Sequence, residues 1–146
     1  MIRILKSIVT KLGGVDVSEK NHVDTFTENK IINVRGTQIA SSKNGGIWIK
    51  YQELAGFKFL NAIIIGESNM KNYNGCEMTF TGENFEINLI SDTQEIESDF
   101  SNVSNRWLTL VAFDITNIET DFIESKTADT IRLSYKKTSE IFDVIK

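Results

Sequence analysis

The sequence predicts a mostly β, α+β fold. The expected architecture is an antiparallel β-sandwich or partly open barrel of about eight strands, with a short N-terminal helix over 2–12 and one helix near 116–126. Three observations carry this expectation. Cys76, Met78 and Phe80 alternate with polar neighbours, Gly82-Glu83-Asn84 reverses the chain, and Phe85, Ile87 and Leu89 alternate again. Two runs of period two around a Gly/Asn turn are a β-hairpin signal, because alternation sends one face of each arm to a core while Gly and Asn tolerate positive φ. The second observation is the run Phe57–Ile65, the most apolar in the chain and ended by Gly66, which reads as a central strand covered on both faces for part of its length. The third is that Arg106–Phe113 and the pair 130–135 and 140–145 repeat the strand pattern, with Lys136-Lys137-Thr138-Ser139 as the joining turn.

In chain order, Ile2, Leu5, Val9 and Leu12 recur at helical spacing and Gly13-Gly14 stops the run. This helix is expected to cover an open end or face of the sheet. A basic amphipathic membrane-surface anchor uses the same pattern, although such anchors are longer and richer in aromatics. Residues 15–28 read as a polar loop with Phe26 as its one large apolar anchor, 30–34 as a strand, and 41–46 as a turn. Ile47, Ile49 and Tyr51 alternate with Trp48, Lys50 and Gln52, a strand whose first set faces inward. The segment 91–105 is polar and acidic. Thr116 with Glu119 three residues later forms a capping box for the helix that follows, with Ile115, Ile118, Phe122 and Ile123 as its apolar stripe. The ending, an apolar strand, a capped helix and then Ile131-Arg132-Leu133 with a closing hairpin, is similar to that of small bacterial β-rich domains, a resemblance that implies no activity.

At 146 residues, with no internal repeat or composition shift, the chain is expected to form a single domain over 1–146. Hydrophobic content of 40% and charged content of 25% are ordinary for a globular chain and argue against global disorder. A net charge of -4 disfavours phosphate-backbone binding, so no nucleic-acid partner is expected. A single cysteine rules out an internal disulfide. Lys6 and Lys11 interrupt the N-terminal apolar residues, against the pattern of a secretory signal. No apolar stretch approaches the ~20 residues that span a bilayer, and a cytoplasmic location follows as the expectation.

Catalytic and metal chemistry find little footing. One His (His22) and one Cys (Cys76) allow a dyad only formally, since Cys76 sits in the core-facing register with Met78 and Phe80, where a thiol packs as a small hydrophobe. The same count excludes the usual zinc ligand sets. Asp92, Glu95, Glu97 and Asp99 offer hard oxygen ligands without the spacing of a calcium loop, and the bland reading is a solvated acidic connection. Gly13-Gly14 and Gly45-Gly46 lack the residues of a phosphate-cradling loop, and no cofactor is expected. Asn102-Val103-Ser104 matches a glycosylation acceptor that has no secretory context.

Aromatic residues remain. Trp48 lies on the strand face opposite Ile47 and Ile49, either covered by a helix or displayed as a partner anchor. Trp107 is expected in the core. The first functional expectation is therefore a non-catalytic binding or interaction module, with Trp48, Tyr73 and the 92–99 segment as contacts to a protein partner or a second copy. The alternatives are a β-barrel holding a small apolar ligand among Phe59, Met78, Phe80 and Phe85, and an enzyme using a carboxylate pair, which requires a carboxyl of raised pKa in a cleft.

Overall fold

A computed structural model describes residues 25–146, and the helix expected over 2–12 and His22 lie outside the described residues. The elements are α1 (Phe26–Ile32), β1 (Thr37–Ser42), β2 (Gly45–Leu54), β3 (Phe57–Gly66), β4 (Glu77–Gly82), β5 (Glu86–Ile90), β6 (Ser98–Ser101), β7 (Arg106–Asp114), α2 (Asp121–Glu124), β8 (Ala128–Tyr135) and β9 (Thr138–Val144). Among the described residues, nine strands form one antiparallel sheet, in the order β5-β4-β8-β9-β1-β2-β3-β7-β6, curled into a half-barrel. Of the two architectures expected, the open barrel is the one formed, because every strand joins a single hydrogen-bonded sheet.

The curl brings the two ends of the sheet together at one point. Beyond β5 the chain crosses to β7, where Ser91 bridges Phe113. The backbone N–H of Asp92 donates to the carbonyl of Ala112 at 2.7 Å, and the Ala112 N–H donates to Thr93 Oγ1 at 3.0 Å. A sheet edge otherwise left with open donors and acceptors is satisfied there.

Alternation sorts the side chains between two cores. Ile47 and Ile49 from β2, Leu60, Ala62 and Ile64 from β3, and Val111 and Phe113 from β7 point into the concave side. There they meet Met78, Phe80, Leu89, Ile131, Leu133 and Phe142 in one continuous cluster. Residues of opposite parity, Ile63, Ile65, Trp48 and Leu108, form a smaller cluster on the convex side, under Ile31 of α1. This double coverage is why Ile63-Ile64-Ile65 is apolar without interruption. The hairpin at 76–89 forms as expected, Met78 facing Leu89 and Phe80 facing Ile87. The final hairpin also forms, with Lys136 taking a positive φ of 53° and Thr138 already paired to Tyr135.

Several expectations are corrected. Residues 30–34 are not a strand: they fall in α1 and the turn after it, because Ile31 docks on Ile65 and Leu108 while Glu28 is held by the β6–β7 turn. The three β-branched residues of Ile31-Ile32-Asn33-Val34 suggest a strand, and tertiary docking overrides that propensity. Phe26, expected as a loop anchor, opens α1 and is 65% exposed, with Lys30 Nζ 4.3 Å from its ring centroid. The strand of this region lies later, as β1, and its last two residues come from the stretch expected as a turn.

The helix near 116–126 is shorter than expected, four residues from Asp121 to Glu124, and no side chain caps it. Thr116 is used elsewhere: its hydroxyl donates to Asp114 Oδ1 at 2.6 Å and accepts from the Lys58 N–H at 2.9 Å, tying the end of β7 to β3. Phe122 nevertheless enters the core, edge-on to Phe80 at 5.0 Å between ring centroids. The acidic segment contains a short edge strand, β6. Tyr51 is 48% exposed rather than inward, its hydroxyl donating to Glu124 at 2.6 Å. Phe59 shares the parity of Ile63 and Ile65 and lies on the convex side.

Candidate functional site

Two hairpin turns and one crossing segment build a polar cleft on the convex side. The β1–β2 turn supplies Ser42, Lys43, Asn44 and Gly45, the β6–β7 turn supplies Ser104, Asn105 and Arg106, Glu67 follows the end of β3, and Trp48 lies on the face between the turns. The cleft measures about 570 Å³, within the range of small-molecule sites.

Glycines allow this packing. A Cβ on Gly45 would stand 1.8 Å from the Ile65 carbonyl oxygen, so only glycine lets the β1–β2 turn come so close to the end of β3. A Cβ on Gly46 would stand 3.1 Å from the edge of the Trp48 ring and 2.6 Å from Gln38 Nε2. The indole is thus seated over bare backbone, half-buried against Ile31, Ile65 and Leu108.

The polar groups are held in two sets. Asn44 donates a hydrogen bond to the Glu67 carboxylate, linking the first turn to the end of β3. On the other wall, Ser101 and Ser104 donate to Glu28 Oε1 at 2.5 Å and 2.7 Å, and Arg106 Nη2 stands 3.7 Å from Glu28 Oε2. The two serine hydroxyls, with the Arg106 charge behind them, hold the Glu28 carboxyl below the usual carboxylate range. Arg106 Nε also donates to Ser104 at 3.0 Å, so its guanidinium is oriented from two sides. Asn105 takes a positive φ of 58°, which an Asn tolerates, and lines the cleft from the turn.

A second polar group occupies the inner side of the same end. Ladder pairing between β9 and β1 is confined to Asp143↔Ser41 and Val144↔Ala40, so the earlier part of β9 continues past the β1–β2 turn. There Glu140 points inward. A Cβ on Gly66 would stand 2.8 Å from its Oε2, and burial, reinforced by the neighbouring Glu67 charge, pushes its carboxyl pKa up. The Ser68 hydroxyl faces both Glu140 and Tyr135. Tyr135 buries its own hydroxyl without a hydrogen bond of ordinary length among the described residues. Successive residues of one segment thus serve both sides, Glu67 the outer cleft and Ser68 the inner group. Glu140 has the raised pKa that a carboxylate enzyme requires, but it does not line the cleft.

The residues singled out from sequence have separate fates. Trp48 lines the cleft. Tyr73 is 67% exposed and does not line it. Asp92, Glu95, Glu97 and Asp99 are all exposed, and no group of three or more His, Cys, Asp or Glu side chains able to hold a metal ion occurs among the described residues. Cys76 is buried in the main core, where desolvation pushes its thiol up to about 12, the direction of an inert structural cysteine. Met78 and Phe80, expected around an apolar ligand, pack directly against the other core side chains, and Phe85 against the rim. Trp107, expected in the core, is half-buried beside Phe100, with 4.8 Å between ring centroids. Sequence reasoning missed Glu67, Asn105 and Arg106 as cleft residues. The Gly45-Gly46 pair, read from the sequence only as part of a turn, is the local feature that marks a close backbone approach there.

Compared with known proteins, the chain matches no family model, no curated protein and no solved structure. Among the described residues no helix is long and apolar enough to cross a membrane.

Proposed function

We propose that this protein is a non-catalytic, cytoplasmic binding module that recognises its ligand or partner through the Trp48 cleft. One observation carries the proposal: a half-buried tryptophan sits between two hairpin turns whose polar side chains converge on the same cleft. Tryptophan contributes a large rigid contact area at low entropic cost, and a ring already packed from below meets a ligand without reorganisation. The turns are fixed by the Asn44–Glu67 hydrogen bond and by the Glu28 anchor, so the polar groups are held in place before anything binds. Packing of the interior by its own side chains directs binding to the outer surface. The buried cysteine suits a reducing compartment.

The test is native mass spectrometry of the chain isolated gently from its own host, beside Trp48→Leu prepared the same way and checked for folding by circular dichroism. Mass carried by the folded wild type, released on denaturation and depleted in Trp48→Leu, is the expected result. A bare wild-type monomer, or equal loading of both proteins, would overturn the proposal.

A further inference from the structure

We infer that the Trp48 cleft takes a neutral, hydroxyl-rich ligand with an apolar face, the chemistry of a saccharide. The inference rests on the cleft being the binding surface and adds the class of ligand.

Charge balance comes first. Lys43 and Arg106 bring two positive charges to the lining and Glu67 one negative charge. Glu28 stands behind Arg106 at 3.7 Å and supplies the second negative charge. The four charges cancel, so neither an anion nor a cation meets a net field of opposite sign. A phosphate or carboxylate would also have to compete with Glu28 for Arg106 and be desolvated beside Glu67, an unfavourable exchange for a charged group.

The hydrogen-bonding inventory is mixed, as a hydroxyl requires. Glu67 accepts only, Lys43 and Arg106 donate only, and Ser42, Asn44 and Asn105 do both. A sugar hydroxyl both donates and accepts, so adjacent hydroxyls can use a carboxylate and an ammonium or amide together. A purely donating or purely accepting ligand leaves part of this set unmatched and buried, at a cost. The Trp48 ring supplies the apolar surface that the C–H face of a pyranose would cover, in a cleft of about 570 Å³.

The experiment uses Trp107→Phe, which leaves Trp48 as the sole tryptophan of the two in the chain. Its fluorescence is titrated with maltotriose, cellotriose and chitotriose as neutral probes and with trigalacturonate and ATP as anionic ones. Saturable perturbation by at least one neutral trisaccharide, with no response to the anions, is expected. Glu67→Ala and Asn105→Gly, added singly to that background, should each weaken the response roughly tenfold, as loss of one hydrogen bond implies. Glycine at 105 keeps the positive φ while removing the amide. A response confined to the anions would overturn the neutral-ligand inference and leave the cleft as the binding surface. Silence toward every probe, with native mass spectrometry showing cleft-dependent loading by a polypeptide, would do the same. Silence together with a bare native monomer would overturn both readings.

Discussion

Single residues here are constrained by backbone approach and by desolvation. Gly45 and Gly56 both sit at hairpin ends, yet they answer to different physics. Gly45→Ala would place a methyl group 1.8 Å from the Ile65 carbonyl, forcing β2 away from β3, and should cost about 3 kcal/mol or more in chemical denaturation. At Gly56 nothing lies within 4 Å and only the positive φ of 85° resists, so Gly56→Ala should cost about 1 kcal/mol. Glu140 makes a prediction in pH. Its folded-state pKa is raised above the ordinary 4.5, so the folded chain retains a proton that the unfolded chain has released. That contribution to stability is full below the ordinary value and is lost as pH rises through the raised one. Glu140→Gln keeps a neutral group at every pH. Its melting temperature should exceed that of the wild type at pH 8, and the difference should vanish at pH 4. Equal shifts at both pH values would exclude a titrating Glu140 as the cause.

At the scale of elements, α1 shows how a short helix is held by what it touches. Seven residues are too few for a stable helix in isolation. Ile31 and Val34 dock on the convex cluster, and Glu28 joins the helix to Ser101, Ser104 and Arg106. Since the Glu28 pKa is lowered in the folded chain, this link is full above the ordinary carboxyl value of 4.5 and is lost as pH falls through the lowered one. Amide exchange at Asn33, whose N–H donates to the Asn29 carbonyl, should therefore accelerate severalfold in acid beyond the intrinsic rate. Glu28→Gln should reproduce the effect at pH 7. Unchanged protection in both cases would show that apolar docking, and not the Glu28 link, holds the helix. The Ser104-to-Arg106 wall of the cleft belongs to the same link, so loosening α1 should also weaken binding at Trp48.

For the whole molecule, the seam that ties the ends of the curled half-barrel together rests on few bonds. Ser91 is 4% exposed, accepts from the Cys76 N–H at 3.0 Å and donates to the Thr93 carbonyl at 2.7 Å, while Thr93 Oγ1 accepts from Ala112. Ser91→Ala should destabilise by about 2 kcal/mol and Thr93→Val by about 1 kcal/mol, because each leaves backbone donors without partners. Both should unfold in one cooperative denaturant transition if the seam belongs to the global fold. An early, separate transition would show that β5 and the 91–97 crossing open independently.

Legibility in the sequence followed the range of the interactions. The hairpin at 76–89, the strand at 57–65 covered on both faces for part of its length, the strand at 106–113 and the final hairpin were readable because apolar patterning and turn chemistry are local properties of the chain. So was the burial of Cys76. The helix α1, the edge strand β6 and the reduced extent of α2 were not, since each depends on a distant partner: Ile31 on Leu108, Ser98 on Thr109 through hydroxyls 2.6 Å apart, and Thr116 on Lys58. Of the cleft, Trp48 stood out as a large aromatic on the wrong face of its strand, whereas Glu67, Asn105 and Arg106 are ordinary polar residues until two turns bring them beside it. By itself, then, the sequence determined the β-rich class, the principal hairpins and the core-facing sides of their arms, all consequences of local alternation. Only the tertiary structure decided that the curled half-barrel is tied across its ends at Ser91 and that a balanced polar cleft forms around Trp48, because both arise where residues far apart in the chain meet.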